Sequence, residues 1–166
     1  MERVGTNFDD PRFTAFGLFA EAYTGLTNRF AAQFEQHRLS SVEFEVLLRL
    51  ARSPQNRLRM TDLAGQTSLS TSGVTRVVDR MDRDGLVRRE ACPSDRRSSY
   101  AVITTAGRQR LDEVLPGHLA LVQQWFIGQL TAEQLDNMLE SLRIIRDAVN
   151  PCATAGSSDP FPADAV

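Results

Sequence analysis

The run Ser70-Thr71-Ser72-Gly73-Val74-Thr75-Arg76 places four hydroxyls and a guanidinium within seven residues. Hydroxyls donate and accept hydrogen bonds, and an arginine presents a planar fork of donors. A second short run, Asp95-Arg96-Arg97, sets a carboxylate beside two more forks. These groups are suited to holding phosphates and reading polar edges. They do not make a nucleophile, base and orienter, and no such set can be assembled elsewhere in the chain. Cys92, Cys152, His37 and His118 share no metal-like spacing, and no Gly-rich phosphate loop, Gly-x-Ser-x-Gly or His-Glu-x-x-His is present. The expectation is therefore a binding protein with no catalytic residues, metal or cofactor.

The elements that must position these groups can be read around them. Thr61–Gln66 reads as one helix and Thr67-Ser68-Leu69 as a turn, with Ser70 the N-cap of a second helix that stops at Gly85, a residue suited to a left-handed C′ position. Val74, Val77, Val78 and Met81 recur at i, i+3, i+4 and i+7 and form one apolar stripe. Ser72, Arg76, Asp79 and Arg83 then point away from it, with Thr75 and Arg80 at the edges. A helix that begins with small hydroxyl residues and continues with arginines can enter a DNA major groove by its N-terminus. An ordinary solvated surface helix has the same face, so the next segment decides. Leu86–Glu90 and Tyr100–Ile103 read as two strands joined by a loop over 91–99, with Arg96 and Arg97 near its tip. An arginine-tipped hairpin beside a helix-turn-helix is a winged helix, and such a tip can enter the narrow minor groove. Asp95 is placed to orient the arginine forks.

Asp95-Arg96-Arg97 followed by Val102-Ile103-Thr104-Thr105-Ala106-Gly107 resembles the wing signature of the MarR (multiple antibiotic resistance regulator) family, an Asp-x-Arg, a hydrophobic strand and Thr-x-x-Gly. Leu69 to Met81 is similar to that family's recognition helix, and Gly85-Leu86-Val87 to its exit into the wing. The resemblance covers roughly residues 12–149. It implies a mostly α fold with a small β-wing, in which long terminal helices of two subunits interlock into a homodimer. A two-fold dimer sets two recognition helices about one DNA turn apart, ~34–36 Å, which calls for an inverted-repeat operator in double-stranded DNA. On this reading Ser72, Thr75 and Arg76 contact bases, Ser70, Thr71 and Gly73 lie near phosphates, Arg80 and Arg83 reach phosphate further along, and Arg97 and Arg96 act at the wing. The output expected from the family is repression, in answer to a small aromatic effector.

Length and composition agree. The chain has 166 residues and 42% hydrophobic content, enough for one globular domain. It contains no run of eighteen apolar residues, and its first residues do not read as a signal peptide, so a cytoplasmic protein without membrane association is expected. The formal net charge is −2, and all nineteen basic residues are arginine. Residues 57–108 hold ten arginines against six acids, a local +4 that coincides with the winged-helix segment and suits a phosphate partner.

The flanks divide into a loose arm at 1–10, a MarR-like domain at 11–149 and a Pro/Ser/Gly-rich tail at 150–166 expected to be disordered. Within the domain, the DNA-binding lobe spans about 40–104 and the dimerisation helices about 11–37 and 104–149. In the first helix Phe13, Phe16, Ala20, Tyr23, Thr27, Phe30 and Phe34 recur at helical steps, with Phe19 and Leu26 widening the stripe, and these aromatics are expected to pack into a core. Ser40 with Glu43, and Thr131 with Gln134, make capping boxes for two further helices. Arg57–Met60 suggests a short strand, and Pro116-Gly117 a kink in the helix capped by Thr104. The apolar stripes on the terminal helices exceed what a winged helix needs for its own core, which points to pairing with another copy. The family's effector site implies Phe16, Phe19, Tyr23 and Phe44 as lining. Two alternatives stay open: a redox-sensing regulator using Cys92, whose arginine neighbours could favour the thiolate, and a winged helix that contacts protein without DNA.

Overall fold

The computed structural model describes residues 7–67, 69–92 and 95–150, with the side chains of Asn7 and of 95–97 outside the description. The expected arm before residue 7 and the tail after Asn150 lie outside it. Six α-helices and three strands follow in order: α1 Pro11–Gln36, α2 Ser41–Arg52, β1 Arg57–Arg59, α3 Met60–Thr67, α4 Thr71–Arg83, β2 Val87–Cys92, β3 Asp95–Ile103, α5 Thr105–Trp125 and α6 Ala132–Val149. The strands form one antiparallel sheet in the order β1-β3-β2. This is the winged helix-turn-helix expected from the sequence.

Local chemistry sets the helix ends. Asp10 accepts from the Arg12 N–H and Pro11 takes the first helical position of α1, where its missing N–H costs nothing. Both capping boxes form, Ser40 with Glu43 on α2 and Thr131 with Gln134 on α6. The end of α4 is a paired-carbonyl turn: the Leu86 N–H bonds the Met81 carbonyl and the Gly85 N–H bonds the Asp82 carbonyl. Gly85 carries the positive φ of 72° that this turn demands.

The core lies beneath the helix-turn-helix. Leu47 and Leu50 of α2, Leu63 of α3 and Val74, Val78 and Met81 of α4 are fully buried, with Val77 packed partly against them. The apolar stripe read on α4 is thus its buried face. Val87 and Ile103 close the core from the base of the wing, and Leu111 and Val114 close it from α5.

Three expectations change. The wing strands are longer than read: Ala91 pairs with Ser99 and Cys92 with Asp95, so strand extends into the presumed 91–99 loop, with a register shift between Ala91 and Cys92. Arg96 and Arg97 therefore belong to β3 itself. Second, the Pro116-Gly117 interruption does not divide α5, which is one helix from Thr105 to Trp125. Here α1 crosses closely: Gln33 donates to the Val114 carbonyl at 3.2 Å, and its amide nitrogen lies 2.9 Å from where a side chain on Gly117 would begin. Third, the α1 aromatics do not all enter a core. Phe34 is 3% exposed, but Phe13, Phe16, Phe19 and Tyr23 are 53–71% exposed. Among the described residues the N-terminal half of α1 is mostly exposed, whereas further along the helix Phe34 is buried in the core and Phe30 packs partly against it.

Candidate nucleic-acid interface

The N-terminus of α4 gathers the hydroxyl run. Ser70 adopts extended backbone and its Oγ accepts from the Gly73 N–H at 3.1 Å. The same Oγ lies 3.2 Å from the Ser72 hydroxyl. A Cβ on residue 73 would sit 3.2 Å from the Ser70 Oγ, so glycine there keeps the cap uncrowded. Thr71 and Ser72 are exposed, while Gly73 and Thr75 are half-buried. Thr75 Oγ1 donates to the Thr71 carbonyl at 2.9 Å and Arg76 Nε to the Ser72 carbonyl at 3.5 Å. Both side chains thus lie back along the helix toward its N-terminal end. Unsatisfied backbone N–H groups and the positive end of the helix dipole meet there, an arrangement that favours anions.

Arg80 behaves differently from Arg76. Its Nε donates to the Glu43 Oε1 at 2.7 Å, and Glu43 is buried at 8% exposure. Burial pushes the Glu43 carboxyl up, but the Ser40 N–H and hydroxyl and the Arg80 guanidinium outweigh it and hold the group below the usual glutamate range. Arg83 stays on the helix surface, its Nε on the Asp79 carbonyl. Neither the Glu43–Arg80 pair nor the following latch was read from the sequence. Arg89 on β2 bonds Asp79 on α4 at 2.8 Å and the Ser99 hydroxyl at 3.2 Å, tying the wing to the recognition helix.

The sheet adds a basic face that sequence reading also missed. Arg57 and Arg59 alternate on β1, and their guanidinium carbons lie 4.7 and 5.9 Å from the Tyr100 ring centroid. Spacing of two along a strand was the available signal. The side chains of Asp95, Arg96 and Arg97 are outside the described atoms. Cys92 is 3% exposed, with its sulfur 3.9 Å from the Tyr100 hydroxyl. Burial denies it the solvent access that the redox alternative requires.

A cavity of about 580 Å³ opens between α1, α2 and α5, a volume ordinary for small-ligand sites. Tyr23, Phe30, Phe34, Phe44 and His118 form an aromatic side, while Arg52 and the Arg49–Glu45 ion pair at 3.3 Å contribute charged groups. Of the four residues named for an effector site, Tyr23 and Phe44 line this cavity and Phe16 and Phe19 do not. Phe19 and Phe16 lie one and two helical turns further toward the start of α1, about 6 and 10 Å along the axis from Tyr23. Phe19 stacks on Tyr23 at 6.4 Å and Phe16 approaches Phe19 at 6.5 Å, both on the exposed face. His118 sits among Phe30, Phe34 and Phe44, with ring centroids at 4.8, 5.1 and 4.7 Å, and burial lowers its pKa. Among the described residues no helix is long and apolar enough to cross a membrane.

Comparison with known proteins agrees with this architecture. Residues 39–99 match the MarR family model. The chain is 30% identical over 129 residues to the uncharacterised HTH-type transcriptional regulator YkoM of Bacillus subtilis, covering 77% of this chain and 81% of that protein. Among solved structures it is similar to AbsC, a MarR family transcriptional regulator from Streptomyces coelicolor, with 33% identity, TM-score 0.81 and coverage of 87% and 97%. It is also similar to Sco3205 from the same organism, a MarR family regulator solved in complex with DNA, with 33% identity, TM-score 0.79 and coverage of 91% and 93%. With the winged helix-turn-helix, the hydroxyl-capped recognition helix and these likenesses together, the chain belongs to the MarR family of DNA-binding transcriptional regulators.

Proposed function

We propose that the protein is a homodimeric, ligand-responsive repressor acting on an inverted-repeat operator. The observation that carries the dimer is the row of bare apolar side chains on the terminal helices: Phe13, Phe16, Phe19 and Tyr23 of α1, and Ile144, Ile145 and Val149 of α6, each more than half exposed. Large exposed apolar patches are unusual on a monomer, and a two-fold pairing of terminal helices would bury them. In this reading the lobe spans about 40–104 and the dimerisation helices about 11–37 and 104–149. Ser72, Thr75 and Arg76 face base edges, Ser70, Thr71 and Gly73 face phosphate at the helix entrance, and Arg96 and Arg97 serve the wing with Asp95 as orienter. Arg80 and Arg83, expected at phosphates further along, bond through Nε to Glu43 and to the Asp79 carbonyl, respectively. A dimer seated across a promoter competes with the polymerase, hence repression.

The effector site is the cavity between α1, α2 and α5. Its aromatic side suits a planar aromatic ligand, and Arg52 supplies a cation for an anionic group on it, Arg49 being paired with Glu45 at 3.3 Å. The test is fluorescence anisotropy against DNA from upstream of the protein's own gene, with random DNA as control and several salt concentrations, alongside light scattering for mass. Dimeric mass, preference for the upstream DNA and a steep salt slope are expected. Monomeric mass or equal binding to both DNAs would refute the operator-dimer reading. Thermal shifts with a panel of aromatic acids test the cavity, and no shift with any compound counts against it.

A further inference from the structure

We propose that Glu43 and Arg80 form a positioning pair that couples the wall of the cavity to the recognition helix. The inference rests on reading that cavity as a regulatory site. The two oxygens of the Glu43 carboxylate do different work. Oε2 accepts from the Ser40 N–H and hydroxyl, both at 2.8 Å, and closes the first turn of α2. Oε1 accepts from Arg80 Nε at 2.7 Å and holds α4. The carboxylate is buried while the Arg80 side chain is about half exposed, and the charge-assisted bond between them is directional.

The neighbouring residue on α2 faces the cavity. Phe44 is 5% exposed, stacks on Phe34 at 4.3 Å and lines the cavity together with Leu48 and Arg49 of the same helix. A short helix in a close-packed core moves as a body rather than deforming. An occupant that displaces Phe44 or Leu48 therefore displaces Glu43, and with it the helix that carries Ser72 and Arg76. Arg80 lies four residues beyond Arg76, about 6 Å along the axis, so a pull at Arg80 tilts the base-facing end. With its Nε on Glu43, Arg80 acts in this proposal through position; its side chain is about half exposed, and the salt slope tests whether its terminal nitrogens also reach phosphate.

The test needs no identified effector. Leu48→Trp on α2 and Thr27→Trp on α1 each fill the cavity from a different wall, and cooperative thermal unfolding establishes which variants are folded. Each is combined with Glu43→Gln, which keeps a side chain that can serve the capping box but lacks the charge. Anisotropy uses a duplex selected from a random-sequence pool by binding to the wild-type protein. In the wild-type background filling should weaken DNA binding about five-fold or more, the low end of ordinary coupling, and in the Glu43→Gln background that factor should collapse toward one. An Arg80→Gln background should behave the same way and should leave the salt slope unchanged. Equal weakening in all backgrounds overturns the coupling and leaves the cavity reading intact. Filling without effect on the wild type overturns both. A salt slope reduced by about one unit in Arg80→Gln would make Arg80 a phosphate ligand and also overturn the proposal.

Discussion

Arg89 on the first wing strand bonds Asp79 on the recognition helix at 2.8 Å, across ten residues of sequence. The pair joins the two elements that must meet DNA together, and the same guanidinium reaches the Ser99 hydroxyl on the second wing strand. Both partners are more than a third exposed, so the pair adds only about 0.2–1 kcal/mol to stability. Its expected consequence is geometric. Asp79→Ala removes a negative charge from the DNA-facing lobe, which by electrostatics alone would strengthen binding. If the latch sets the angle between wing and helix, Asp79→Ala and Arg89→Ala should both weaken binding in anisotropy titrations, with Tm lowered by only a few degrees. Tighter binding by Asp79→Ala would show that the wing docks independently.

Thr104 and Gly107 explain the Thr-x-x-Gly signature in packing terms. Thr104 caps α5 by accepting from the Gly107 N–H, and its own N–H bonds the Leu86 carbonyl. A Cβ on residue 107 would fall 2.0 Å from that carbonyl oxygen, an impossible approach to backbone. Gly107→Ala should therefore cost about 3 kcal/mol or more, as overpacking against a fixed main chain does. Thr104→Val, which loses the cap but not the shape, should cost about 1 kcal/mol. Urea unfolding of the two variants should rank them in that order.

The arginines proposed to meet DNA should be separable by what each would touch. Arg97→Ala should lower the slope of log affinity against log salt by about one unit, as loss of one phosphate contact does. Arg76→Ala should relax base preference at one operator position by about 1–3 kcal/mol. Competition titrations with single-base operator variants distinguish the two. Uniform weakening across all variants by Arg76→Ala would move Arg76 to the phosphates.

His118 gives a pH signature. Burial among Phe30, Phe34 and Phe44 lowers its folded pKa below the unfolded value of about 6.5. The unfolded chain therefore takes up the proton first as the solution is acidified. The site's contribution to stability is full above that value and declines as pH falls below it. His118→Phe, which suits the aromatic surroundings, should flatten this part of the pH dependence. Melting temperatures of both proteins between pH 7.5 and 5 provide the check, and parallel curves would exclude the imidazole as their cause.

Much of the fold follows from short-range physics visible along the chain. Capping boxes at Ser40 and Thr131, the cap at Ser70, the left-handed Gly85 and the stripe of Val74, Val78 and Met81 each depend on residues within one or two turns, so their spacing specifies them. The wing was legible as a hairpin but not in length, because the pairing of Cys92 with Asp95 depends on register across two strands. The sequence by itself determined the family, the order of elements and the hydroxyl-arginine character of the recognition helix. Only the tertiary structure decided which of the α1 aromatics line the cavity, that Cys92 is buried, and that Arg80 answers to Glu43 while Asp79 answers to Arg89. Those pairings join residues on different elements. Periodicity shows which side of its own helix a residue occupies, whereas its partner is set by how the helices and strands pack against one another.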